Sequence, residues 1–226
     1  AGTHDLSATH IPYLLDTRVS SIGYATSLGG LGSVGVQIQA VDYGEIAETR
    51  TENLGFNSDG TYNPGLTGST FGPTAFAVGV SYARRLTDRF STGITGKYIY
   101  ESLYTGSVTR NGETYDTSAG VALFDIGIQY ETGFRSLALG MSVQNFGPEV
   151  AYAEEGFSAP LSFRLGIAGD LVGPAGIVSQ SSQNRITAAY DLSQPNDYDQ
   201  QMQFGLEYAF AETLSLRTGY KLNYDV

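Results

Sequence analysis

From Phe76 to Tyr82 every second residue is bulky and apolar, and the residues between are Ala77, Gly79 and Ser81. This period of two recurs along almost the whole chain. It permits little except β-strand, whose side chains point alternately to opposite faces. Val34, Val36, Ile38 and Ala40 alternate with Gly35, Gln37 and Gln39. Phe90, Ile94, Tyr98 and Tyr100 share one phase, interrupted by Thr92 and Gly96. Ala122, Phe124, Ile126, Ile128 and Tyr130 follow, and similar runs start near Leu137, Leu161, Ile186, Met202 and Leu214. A weaker strand near 18–28 and a short one near 3–10 bring the count to roughly eleven. No amphipathic helix pattern competes, so the chain reads as all-β, one domain over residues 1–226.

Alternation alone does not say which face meets water. A soluble sandwich or a lipocalin-like barrel turns its apolar face inward, whereas an outer-membrane barrel turns it toward lipid. Charged residues make up 15% of the chain, against roughly 25% in ordinary soluble domains, and Lys97 and Lys221 are the only lysines. The less apolar face is mostly Gly, Ala, Ser, Thr and Gln, which suits a crowded or watery lumen better than a soluble surface. The apolar face is nearly free of charge in mid-strand, where Arg or Lys in hydrocarbon costs roughly 2–4 kcal/mol. Its aromatics gather toward strand ends at Tyr82, Phe90, Tyr100, Tyr130, Phe210 and Tyr224, as in the girdles at membrane interfaces. These features favour a transmembrane up-and-down antiparallel β-barrel in the bacterial outer membrane. A soluble β-sandwich is the alternative. A lipocalin barrel has eight strands, too few for this chain. No run of about 18 apolar residues is present, and Ala1 to Asp5 lacks the basic start and apolar core of a signal peptide. Neither absence bears on a barrel, whose strands are short and half apolar.

The connections carry a second pattern. Short ones fall near 29–32, 86–88, 133–135 and 211–212, and longer ones near 44–74, 103–117 and 147–159. In chain order they largely alternate, as expected for short periplasmic turns and long outer loops. The connection near 173–183 is longer than this rule expects, and the one near 194–199 is shorter.

Several segments resemble a known family. Gly23–Ile46, Val78–Glu101 (with its Tyr-Ala-Arg-Arg-Leu-Thr-Asp-Arg-Phe run) and Leu137–Pro148 are similar to the PorV/PorQ family of bacterial outer-membrane proteins. So are Phe163–Leu171 and Leu214–Asp225, and the pieces come in family order. The family is related to the long-chain fatty-acid transporters, and the resemblance implies a barrel of about 14 strands. Some members serve the type IX secretion system, sitting beside its large pore and carrying exported proteins to the surface-attachment machinery. The family's Asn-Pro-Ala-Gly stretch before the first strand is missing, since Asn63-Pro64-Gly65 falls in a long loop. The family also continues with more strands beyond Asn223-Tyr224-Asp225. The expectation is therefore of about eleven strands of a longer protein, closed by segments outside this sequence.

Candidate chemistry is sparse. The net charge of −11 and the lack of basic runs disfavour nucleic acid. With no cysteine there is no thiol nucleophile and no thiolate metal site. His4 and His10 form a pair without a third ligand and read as polar strand positions. Asn57-Ser58-Asp59-Gly60 begins like a calcium loop but lacks the later acidic spacing, and turn chemistry accounts for it. Asn196-Asp197-Tyr198-Asp199 and Gly29-Gly30-Leu31-Gly32 also read as connections. No Gly-x-Ser-x-Gly elbow occurs. The expectation is of no catalytic, cofactor-binding or metal residue, and of no enzyme. Lumen positions include Lys97, Glu101, Asp125, Arg164, Asp170, Arg185, Asp191, Glu207, Arg217 and Lys221. They could line a solute path or fix a plug, but a network of paired charges is the simpler reading. Three functions remain open. The loops near 44–74 and 103–117 could dock exported proteins or the secretion pore, the barrel could pass hydrophobic small molecules, or it could be structural. Outer-membrane lipids and lipopolysaccharide are the expected surroundings.

Overall fold

The structure is a computed structural model that describes residues 3–104, 106, 108–110, 112–152 and 155–223. Eleven long strands form one antiparallel sheet, each paired with its neighbour in sequence. They are β1 (His4–Pro12), β2 (Arg18–Ser27), β3 (Ser33–Asp42), β4 (Thr74–Arg85), β5 (Phe90–Ser102) and β6 (Ser118–Glu131). β7 (Ala138–Phe146), β8 (Ser162–Gly173), β9 (Asn184–Pro195), β10 (Gln201–Phe210) and β11 (Leu214–Leu222) complete the series. β1 and β11 are the two sheet edges, and no pairing joins them among the described residues. The up-and-down order is that of a barrel wall.

Register decides which side chains share a face. Ile38, Val78 and Tyr98 stand directly opposite one another across β3, β4 and β5. They are in phase with Phe124, which lies opposite Gly96. This apolar face is open: Val78 is 40%, Phe124 52% and Leu206 45% exposed. None of the three sits in a dry core. Gly96 leaves a gap on this face, and the Phe124 ring lies within van der Waals reach of the space a Cβ there would fill. On the opposite face Ser81 meets Thr95 in a 2.8 Å hydroxyl hydrogen bond. Ala83, Ser91, Gly93, Gln129, Gly140 and Arg164, drawn from five strands, line one concavity of about 630 Å³. Small side chains on the inner face let these strands curve around it.

The turns follow from local chemistry. Thr87 Oγ1 accepts the backbone N–H groups of Arg89 and Phe90 at 3.3 and 3.0 Å, closing the turn between β4 and β5. Between β2 and β3 a single 3₁₀ turn, Gly29–Leu31, ends at Gly32 with φ of 105°. A Cβ at Gly32 would collide with the Ala83 carbonyl oxygen, so only glycine fits there.

Candidate docking surface at the loop end

The strand order gathers the connections at two ends. One end holds 28–32, 86–89, 132–137, 174–183 and 211–213, and the other holds 13–17, 43–73, 103–117, 147–161 and 196–200. The long connection 174–183 folds back on β8, where Ile177 and Val178 N–H groups donate to the Asp170 and Leu171 carbonyls at 2.7 and 2.9 Å. The three longest connections lie at the second end, and each carries a β-hairpin. Charge separates the ends as well. The five segments of the loop end contain twelve Asp and Glu against two arginines, Arg50 and Arg110. The turn end balances Asp88 and Glu212 against Arg89 and Arg135.

The largest hairpin, Ile46–Phe56 with Tyr62–Phe71, closes through the Asn57–Gly60 turn. Asp59 Oδ1 accepts Thr61 N–H at 2.9 Å and the Thr61 hydroxyl at 2.6 Å. These bonds hold its carboxyl below the usual range. The hairpin is fastened to the next loop at Glu48. Its Oε1 accepts Arg50 Nη2 at 2.9 Å and the Tyr104 hydroxyl at 3.0 Å, and its Oε2 accepts the Thr67 hydroxyl at 3.1 Å. Hydrogen bonds from Arg50, then Tyr104, push the Glu48 carboxyl below its ordinary value. The Tyr104 ring also packs edge-on against Phe71, centroids 5.0 Å apart. A bond between residues 56 positions apart in the chain thus joins two loops into one surface.

The third loop, 147–161, folds against the inner face. Val150 and Ala159 pack with Ile99, Val121 and Leu123. Leu123 is 1% exposed, and this is the dry cluster among the described residues. A bulge in β7 sends the loop inward. The register with β6 shifts between Phe124 and Ile126, and Asn145 takes a φ of 61°. Asp125 holds the bulge: its Oδ1 accepts the Asn145 N–H at 2.7 Å, and both carboxylate oxygens accept Lys97 Nζ at 2.8 Å. Asn145 and Asn196 side-chain amides then donate to the Pro160 and Ala159 carbonyls at 2.8 and 3.1 Å.

Against this geometry stands one decisive comparison. The family described as type IX secretion system protein PorV matches residues 54–195. The chain belongs to the PorV family. The match runs from the first hairpin through β9 and covers all three loop hairpins in part or in full. No curated protein matches the chain. PorV membership makes the chain a component associated with type IX secretion, in a family tied to the outer membrane.

The ten polar lumen positions all fall on the inner face of this PorV sheet, as the register requires. The expected pairing holds for several. Lys97 pairs with Asp125. Glu207 accepts from Arg217 and lies 3.8 Å from Arg185. Asp170 accepts the Thr187 hydroxyl at 2.7 Å. Arg164 and Asp191 line the concavity, and Glu101 accepts the Tyr43 hydroxyl at 3.4 Å. Lys221 stands opposite Gln203. His4 and His10 are strand residues bonded to Tyr24, Thr26 and Ser20 hydroxyls. Asn196–Asp199 is a connection, as expected. Tyr224 lies outside the described residues, whereas Tyr82, Phe90, Tyr130 and Phe210 sit at the turn end and Tyr100 at the loop end. Sequence reasoning missed the Glu48–Tyr104 fastening and the Asn145 bulge. The alternate charges Glu48, Arg50 and Glu52 were the available signal for the first, since strand spacing puts them on one face.

Proposed function

We propose that this chain is an outer-membrane barrel whose loop end docks exported proteins or the type IX secretion pore. The observation that carries this reading is the fused, carboxylate-rich surface of hairpins at one end of the sheet. Membrane placement draws support from the open apolar face, which in water would leave large contiguous apolar area uncovered. Docking suits loops held on a rigid sheet, because ordering cost is met before the partner arrives. A route for hydrophobic small molecules draws less support, because Gln129, Gln144, Arg164 and Asp191 are among the groups on the concavity. The test is copurification from native membranes in mild detergent, comparing the full chain with one in which 46–71 is replaced by a short turn. The full chain should retain a large barrel protein or exported proteins, and the shortened chain should lose them. Equal recovery from both, or no partner on either, overturns the proposal.

A further inference from the structure

A cleft of about 570 Å³ opens at the loop end between the 13–17 turn, the base of the first hairpin and Leu103. Its lining includes Tyr43, Ile46 and Leu103 together with the acidic residues Asp16, Glu45 and Glu101. The volume is that of a ligand pocket. Its shape depends on Gly44, whose φ is 78°. A Cβ there would come within 3.0 Å of Asp16 Cβ. The glycine thus lets the turn lie against the hairpin base. Tyr43 N–H donates to the Pro73 carbonyl at 3.2 Å and fixes that base. Burial first, and then the Glu101 carboxylate, raise the Tyr43 hydroxyl above its ordinary value, so the ring stays neutral.

We propose that this cleft takes a lysine or arginine side chain from an exported protein, a reading that rests on the docking function above. The occupant follows from the lining. An aliphatic stem lies along Ile46 and Leu103 while its cationic head meets the carboxylates. The Tyr43 face adds a cation–π contact. A hydrated divalent cation would waste the apolar walls, since it seeks oxygen ligands alone. An anionic lipid headgroup would be repelled by the three carboxylates. The excess of twelve carboxylates over two arginines at this end steers basic segments toward the cleft.

The chain has no tryptophan, so a tryptophan-bearing probe can be followed by its own fluorescence. The probe is a short Leu-Lys-Trp-Leu peptide with blocked ends, titrated onto the full chain in detergent. Its counterpart carries acetylated lysine. Acetylation should weaken binding about tenfold or more, and Asp16→Asn with Glu45→Gln should do the same. Gly44→Ala, which pushes the turn away, should also weaken it. Asp197→Asn with Asp199→Asn should leave it unchanged. Equal binding of the acetylated peptide, or equal weakening by the Asp197 and Asp199 changes, overturns the cleft. Copurification then separates the two readings. If exported proteins follow the wild-type chain and the Asp16→Asn, Glu45→Gln chain equally, the cleft falls and docking stands. If neither exported proteins nor a large barrel protein accompany the wild-type chain, docking falls, and the peptide titration still decides the cleft.

Discussion

Leu15 and Asp16 occupy the centre of the turn between β1 and β2 with φ values of 56° and 60°. Tight hairpin turns of this kind call for positive φ, which Asn and Gly adopt readily. A leucine there costs roughly 1–2 kcal/mol, and Leu15 gains little in return, being 92% exposed. Leu15→Asn should therefore raise stability by about 1 kcal/mol in urea titrations of the detergent-refolded protein. Lys97 is the opposite case. Its side chain is 14% exposed and its partner Asp125 23% exposed, so the pair is largely dry. Removing one member strands the other charge, and Lys97→Met should cost about 3 kcal/mol. Adding Asp125→Asn should recover part of that loss, although the Asn145 N–H then keeps a weaker acceptor. If the double variant is no more stable than the single one, the inner pair is not the source of the cost.

At the level of elements, most of the eleven long strands are legible in the sequence because they have one apolar and one polar side, a pattern that β1 and β2 carry only weakly. The same rule hides the first hairpin. Ile46–Phe56 is exposed along most of its length and its pairing with Tyr62–Phe71 slips twice, so no apolar alternation marks it. Nor can sequence pair the lumen charges. Lys97 stands directly opposite Leu123 and reaches Asp125 only on the diagonal, a relation that exists once register is fixed. The Glu48 fastening is hidden for the same reason, since Tyr104 belongs to another loop. It makes the hairpin sensitive to acid. The Glu48 carboxyl sits below its ordinary value in the folded state. Its stabilising contribution is full above the unfolded carboxyl value of roughly 4.3 and fades as pH falls through the folded value. Hydrogen exchange in 46–71 should quicken on acidification below about pH 4, ahead of exchange in β4 and β5. Tyr104→Phe removes one of the bonds that lower the carboxyl, so quickening should then begin at higher pH. An unchanged onset in that variant would mean that Tyr104 does not hold the hairpin.

For the whole molecule, the orientation of the sheet governs every functional reading. A bilayer gives a depth profile that no soluble core reproduces. Val78 lies in mid-strand on the open face, between Ile38 and Tyr98. Leu214 lies on the same phase at the turn end, directly opposite Phe210. Gln39 points the other way, opposite Ala77 and Ser21. In lipid vesicles Val78→Arg should cost about 2–4 kcal/mol, because the charge stands at the hydrocarbon midplane. Leu214→Arg should cost roughly 0–1 kcal/mol, since the interface solvates it. Gln39→Arg faces the polar lumen and should cost little beyond crowding. Folding free energies from urea titration in vesicles would read all three. A graded series, dear at mid-strand and cheap at the rim and lumen, is what lipid on the apolar face demands. Equal costs for Val78→Arg and Leu214→Arg would instead mean that water covers both, and a loop end poised above a membrane would lose its physical basis.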